Sequence, residues 1–214
     1  MHTKNHGVLL HAIPYLGKGC IFKVFTKEAG LITLMSKKQL LSPFCIAEWV
    51  YQKKKSEIFN LLEGSIIDGL IELRQSYTSI RAAGSIARDL LRTQLPSKCS
   101  PALYDLFCSF LKKITVFKNP FILAECFRLK LLIHEGLLAL ATKCIYCSEE
   151  PTFLSQGESV CPKHASLNSI LFSREEWLIL YCLTFSRKFS LLATLDLPPS
   201  LEEKIALLFE EQIR

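Results

Sequence analysis

Cys144-Ile145-Tyr146-Cys147 and Cys161-Pro162-Lys163-His164 form the one constellation in this 214-residue chain whose residue types and spacing specify a chemistry. Each half is a knuckle: two ligands separated by two residues reach the same ion while backbone N–H groups turn towards the sulfurs. Three thiolates and one imidazole fill a tetrahedral shell around Zn²⁺, leaving no position for water. A shell closed by protein is structural rather than catalytic. Thirteen residues separate the two halves. Within them Pro151-Thr152-Phe153-Leu154 and Gly157-Glu158-Ser159-Val160 read as a small hairpin turning at Gln156-Gly157. Two other readings compete. The cysteines could be ordinary reduced thiols near a loop, or Cys144 and Cys147 a redox pair. A redox pair wants a strand before it and a helix after it, whereas Ser148-Glu149-Glu150-Pro151 suits a turn.

Composition narrows the classes. Half of the residues are apolar and a tenth aromatic, so the chain buries a core and is not disordered. The net charge is +6, a bias towards anionic partners. It is uneven: residues 1–75 hold ten Lys and Arg against six acids, residues 76–140 nine against four, and residues 141–214 seven against ten. The basic surface therefore belongs to the first two-thirds. Nine cysteines with no secretory signal at the polar N-terminus predict a reducing, cytoplasmic setting. Cys20, Cys45, Cys99, Cys108, Cys126 and Cys182 sit among apolar neighbours and read as small core residues. The longest apolar run, Leu129–Ala141, is interrupted by Lys130, His134 and Glu135, which suits a buried helix and not a membrane span.

Material for catalysis is missing. The chain has no Gly-x-x-x-x-Gly-Lys-Ser/Thr phosphate loop, no dinucleotide fingerprint and no Gly-x-Ser-x-Gly elbow. Acidic residues in the first 140 positions are sparse and scattered, so a carboxylate-based active site has little to draw on. We expect no enzyme, and no small-molecule substrate.

The elements that must carry these residues fall into two periods. Val8–Tyr15, Cys20–Thr26, Leu31–Ser36, Phe44–Gln52 and Ser56–Ile67 read as five short strands, with turns at Leu16-Gly17-Lys18-Gly19 and Lys27-Glu28-Ala29-Gly30. Five strands with tight turns suit a small closed barrel of the OB type, with a sandwich as the alternative. From Ser76 the period becomes helical: Tyr77–Leu95, Ala102–Phe117 and Phe121–Ala141, the last two opened by Ser100-Pro101 and Asn119-Pro120. Capping boxes at Ser173–Glu176 and Ser200–Glu203 open Trp177–Ala193 and Lys204–Arg214. The expected fold class is α+β and multi-domain. Residues 1–72 form an OB barrel and residues 73–214 an all-helical domain, with the Cys₃His ribbon inserted at about 142–166.

Lys18, Lys23, Lys37, Lys38, Lys53, Lys54 and Lys55 lie on or beside the strands, near Tyr15, Phe22, Phe25, Trp49 and Tyr51. Cations for phosphates and rings for base stacking are how such barrels hold single strands. Arg81, Arg88 and Arg92 share one face of the first helix and extend the basic surface. Alternatively, the lysines are solvated turn residues and the rings are barrel core.

The order of parts resembles the bacterial recombination mediator family RecO. The likeness spans essentially the whole chain. It rests on Tyr15-Leu16-Gly17-Lys18-Gly19, Phe25-Thr26-Lys27-Glu28-Ala29-Gly30-Leu31, Pro43-Phe44, Arg128-Leu129-Lys130-Leu131-Leu132 leading to Leu137-Leu138, and the two Cys knuckles. That resemblance implies binding of single- and double-stranded DNA, annealing of complementary strands, and cooperation with RecR. It further implies capture of the acidic tail of the single-strand-binding protein, loading of recombinase on gapped DNA, and a place at the nucleoid. For the acidic tail the candidate contacts are Lys112, Lys113, Arg128 and Lys130. In two places the chain departs from the family pattern: the segment after the third strand carries only Lys37 and Lys38, and His164 stands where Cys is common. Two readings from other classes remain beside it: an RNA- or ribosome-associated OB protein, and a protein-interaction module that takes an acidic tail.

Overall fold

The first strand, β1 (His2–Tyr15), is long because it has two partners. In the computed structural model, which describes residues 2–15, 17, 19–37 and 41–213, β1 pairs antiparallel with β4 (Ile46–Gln52) through His2–Val8 and with β2 (Gly19–Thr26) through Gly7–Tyr15. A register shift between Leu9 and His11 bends the strand as it passes from one to the other. β3 (Gly30–Ser36) runs antiparallel to β2, while β5 (Ile58–Asp68) pairs antiparallel with β4 and parallel with β3. The order β1-β2-β3-β5-β4 closes on itself, the OB-fold barrel that the strand spacing predicts. The polar N-terminal residues 2–7 are strand as well, beyond the start expected at Val8.

Side chains alternate as a closed barrel requires. Phe22, Val24, Leu34, Ala47, Trp49 and Tyr51 point inward and are fully buried. The rings of Phe22, Trp49 and Tyr51 are thus core, not a stacking surface. Phe25 points the other way and is still buried, because α2 (Pro101–Ile114) covers it with Tyr104 and Phe107 at ring separations of 6.0 and 6.1 Å. The β2–β3 hairpin makes further ties to the segment between the helices. Ser97 N–H donates to the Leu31 carbonyl (2.9 Å), and Gly30 packs so tightly that a Cβ would lie 2.0 Å from the Lys98 oxygen. Lys27 pairs with Asp105 on α2 at 2.8 Å. These contacts make the barrel, α1 (Tyr77–Thr93) and α2 one compact unit, Met1–Val116, and leave Phe117–Arg214 as the other. The last barrel strand ends at Asp68 and a 3₁₀ turn, Ile71–Gln75, leads into α1, whereas compactness divides the chain only after Val116.

In the second unit, α3 (Pro120–His134) starts at Asn119, whose side chain accepts from Phe121 N–H, and stops well before the expected Ala141. Gly136 is the reason. Its φ of 73° ends the helix in a Schellman turn, with Leu137 N–H on the Leu132 carbonyl (2.8 Å) and Gly136 N–H on that of Ile133 (3.0 Å). β6 (Phe153–Ser155) and β7 (Glu158–Val160) form the expected hairpin, and a third strand, β8 (Ile170–Leu171), adds to it. Positive φ at Gln156 (50°) and Gly157 (82°) makes the turn type I′. α4 (Arg174–Phe185) opens on the expected Ser173/Glu176 capping box, but it ends at Ser186, whose backbone is extended. The run to Ala193 is completed only by the short α5 (Phe189–Leu192). α6 (Pro199–Gln212) begins earlier than Lys204 and without a side-chain cap. Ser200 therefore caps nothing; its hydroxyl donates to Glu176 Oε1 at 2.9 Å.

Glu176 is the hub of this unit. Its Oε2 accepts from Ser173 N–H (2.8 Å) and Lys204 Nζ (2.6 Å), so one nearly buried carboxylate joins the starts of α4 and α6. Burial pushes its pKa up, but the Lys204 ammonium, the Ser173 N–H and the Ser200 hydroxyl outweigh burial and hold it below the usual carboxylate value. A depressed carboxylate stabilises the fold above its unfolded pKa of about 4.3, and that contribution fades as pH falls through the folded value. Glu176→Gln should therefore cost about 2 kcal/mol at pH 7. In urea titrations the gap between variant and parent should shrink on acidification below about pH 4; a gap independent of pH would contradict this role.

Candidate metal centre and basic barrel face

The Cys₃His cluster is assembled by the turns that precede and follow the hairpin. Cys144 N–H donates to the Glu149 carbonyl and Ile145 N–H to that of Ser159, both at 3.0 Å. His164 N–H donates to the Cys161 carbonyl at 3.0 Å, closing the second knuckle. Segment 137–141 is stitched to β7: Ala139 N–H to the Gly157 carbonyl (2.8 Å) and Ala141 N–H to Ser159 Oγ (2.9 Å). Gly157 is confined here, since a Cβ would meet the Leu137 oxygen at 2.2 Å.

The four ligand atoms lie within 4.8 Å of one another. His164 Nδ1 is 3.6 Å from Cys144 Sγ, 3.7 Å from Cys147 Sγ and 3.3 Å from Cys161 Sγ, and the Cys147 and Cys161 sulfurs are 3.6 Å apart. A tetrahedral ion with metal–sulfur bonds of about 2.3 Å and a metal–nitrogen bond of about 2.0 Å has edges of roughly 3.5–3.8 Å. The residues fit. Nδ1 faces all three sulfurs, so a bound ion would leave the His164 proton on Nε2. Cys144 and Cys161 are buried, Cys147 is half-buried and His164 is exposed, with its imidazole against Tyr146 at 5.2 Å. Burial pushes the Cys144 thiol up, but the backbone N–H groups of Cys161, Tyr146 and Cys147 pull it down to about 6. At Cys147 a backbone N–H favours the thiolate, yet burial and the neighbouring sulfurs raise the thiol overall. Sulfurs crowded this closely need a cation before all of them can carry charge. Among the described residues this is the one cluster that could hold a metal ion.

Part of the predicted basic surface comes together on the barrel. Lys23 on β2, with Lys54 and Lys55 in the β4–β5 connection, lines one groove of about 360 Å³ beside Thr33 and Ser97. Lys23 Nζ is held by Thr33 Oγ1 at 2.9 Å. Lys37 and Lys53 are exposed outside that groove. Lys18 and Lys38 lie outside the described residues. Arg81, Arg88 and Arg92 lie on the exposed face of α1, with Arg81 over the Tyr77 ring at 5.6 Å. Arg88 borders a different, apolar cleft with Leu10, Phe44 and Ile80. Of the five aromatics expected near the lysines, Tyr15 alone stays open, at 42 % exposure. Phe59, which the sequence reading did not single out, lines the lysine groove and stacks on Tyr51 at 5.5 Å and 9°. Its strand pattern is that of any half-buried residue; only its position across from β3 marks it.

The four candidate partner contacts are divided between the two units. Lys112 and Lys113 are exposed on α2 in the first unit, Lys112 lying 3.6 Å from Asp68. In the second, Arg128 is paired with Glu125 at 2.7 Å with little exposure, and Lys130 donates to the Thr184 and Ser186 carbonyls at the end of α4. Of the remaining cysteines, Cys20, Cys45 and Cys126 are core as expected, Cys108 and Cys182 are half-buried, and Cys99 is exposed.

No family model matches the chain. Individual proteins do. The DNA repair protein RecO of Chlamydia pneumoniae is 32% identical over 218 residues, covering 95% of this chain and 86% of its own. Its counterpart in Chlamydia muridarum is 30% identical over 217 residues, covering 95% and 92%. The RecO of Exiguobacterium sibiricum is 26% identical over 216 residues, covering 93% and 85%.

For the metal centre, elemental analysis of the purified protein should find about one tetrahedral divalent ion per chain. Cys147→Ser should release it and lower the melting temperature by about 5 °C or more. Unchanged metal content in that variant would sink the ligand assignment.

Proposed function

The chain belongs to the RecO family, and on that premise we propose that it is a non-enzymatic, DNA-binding mediator of recombinational DNA repair. The observation that carries the reading is the groove on the barrel where Lys23, Lys54 and Lys55 meet. OB barrels take oligonucleotides across strands 2 and 3 and the loops that flank them, and these lysines come from β2 and the β4–β5 loop. Phosphates set against three ammonium groups release condensed counterions, which supplies most of the binding free energy. Lys37, Lys53, Arg81, Arg88 and Arg92, all exposed in the same unit, together with Lys18 and Lys38, are the further proposed contacts for the rest of a single or double strand. In this reading the protein forms and breaks no covalent bond. It lowers the repulsion between two strands, and base pairing drives their annealing.

Under this proposal the protein acts in the cytoplasm at the nucleoid, cooperates with RecR, and meets the acidic tail of the single-strand-binding protein to load recombinase on gapped DNA. Lys112, Lys113, Arg128 and Lys130 are the proposed tail contacts. Arg128 has little exposure and Lys130 is held at the end of α4, whereas Lys112 and Lys113 are exposed, so these two would carry more of that contact. Zn²⁺ is the proposed ion in the Cys144, Cys147, Cys161 and His164 cluster. It would clip the hairpin to segment 137–147 and take no part in strand contacts. No helix among the described residues is long and apolar enough to cross a membrane.

Titration of a single-stranded DNA oligonucleotide against salt tests the reading. Affinity should fall steeply between about 50 and 200 mM salt. Lys54→Ala with Lys55→Ala should reduce the salt slope by about two without lowering the melting temperature. Binding that ignores salt, or a preference for RNA of the same sequence, would overturn it.

A further inference from the structure

β3 and β5 are neighbours for only a short distance. Their parallel pairing covers Thr33–Met35 against Ile58–Asn60. Two residues back along β3, Leu31 is bridged instead to Pro96. Beside these two attachments lies a slot lined by residues from both faces of the sheet. Lys23 and Thr33 belong to the outer face, paired across β2 and β3. Ile32 belongs to the barrel core, and Phe59 packs against that core from the inside. All four line the same groove of about 360 Å³. An unbroken ladder would separate the inner pair from the outer one.

The slot is graded in polarity. At its floor Phe59 lies flat on the fully buried Tyr51, whose hydroxyl accepts from Asn5 Nδ2 at 3.1 Å, so the ring is fixed from behind. At its mouth stand Lys23, Lys54 and Lys55 with one carboxylate, Glu57. A flat apolar floor under a cationic rim matches the two ends of a nucleotide: a base with a π-face and a phosphate a few ångströms away. A base in a duplex is stacked and paired and cannot enter such a slot without being unpaired. We infer that the gap between β3 and β5 seats one unpaired nucleobase against Phe59, making this groove a reader of single strands. The inference rests on the nucleic-acid reading above and deepens it.

The test compares two ligands on the full-length protein by fluorescence anisotropy at fixed salt: an oligo-dT, and a strand of equal length built of abasic tetrahydrofuran residues. Their phosphates are alike, so their salt slopes should match, while the abasic strand should bind roughly ten-fold more weakly. Phe59→Leu should bind oligo-dT about as weakly as the parent binds the abasic strand and lose the discrimination; Phe59→Trp should keep it. Equal affinity of the parent for the two strands would overturn the slot, with the nucleic-acid reading intact. So would a Phe59→Leu variant that is folded by circular dichroism and still discriminates. Failure to bind either strand would remove the nucleic-acid reading itself.

Discussion

Closure of the barrel depends on one strand serving two neighbours. β1 must leave β4 and reach β2 within a few residues, and Gly7 is paired on both sides at the crossing. A Cβ there would fall 2.7 Å from Val24 Cγ1 and 2.9 Å from Thr26 Cγ2, closer than packed carbons sit. The Gly7 carbonyl also accepts from the buried Trp49 indole at 3.0 Å, which fixes the largest core side chain at the same point. Without that crossing β4 and β1 would present open edges, and the inward ring of side chains would have no second wall. The outward register of Lys23 and the height of the β4–β5 loop both follow from it.

How much of this is legible in the sequence depends on how local the determining interaction is. The Ser173/Glu176 capping box, the Gln156-Gly157 turn and the Cys knuckles are set by residues a few positions apart, and each forms where its motif stands. Gly136 was equally local but lay in an apolar run, whose composition masked the stop. The apparent cap at Ser200 shows the opposite error: a local motif overridden because Glu176, distant in sequence, takes its hydroxyl. Which lysines share a groove is set by the parallel meeting of β3 with β5, and no nearby residue announces that pairing. Burial of Phe25 beneath α2, and so the division of the chain near residue 116, is likewise a long-range outcome.

The metal cluster answers a different shortage. Its three strands are two or three residues long, and a few side chains such as Leu154 and Val160 are all they bury. A sheet of that size cannot offset its own ordering entropy through apolar contacts. An ion held by the four ligands would supply the missing free energy, because the ligands are brought together only in the folded chain. This accounts for cysteine density at 144–161 in a unit whose helices otherwise need no cross-link.

Cations in this fold differ in what they meet, and that difference singles out the candidate surface better than their number. Lys4, Lys27, Arg128, Lys163 and Lys204 each meet a carboxylate, and Lys130 caps the end of α4. Such charges are used by the fold, and most are worth little or are held in place by burial. Lys53, Lys54 and Lys55 form the other kind: consecutive ammonium groups in a loop, with no acidic partner among the described residues. Like charges held side by side oppose folding, and a sequence optimised for stability alone would scatter them. Two of them border a slot with a fixed aromatic floor, where an anionic polymer would relieve the repulsion as it binds. Under the proposed function, that repulsion in the free protein would become part of the driving force for binding.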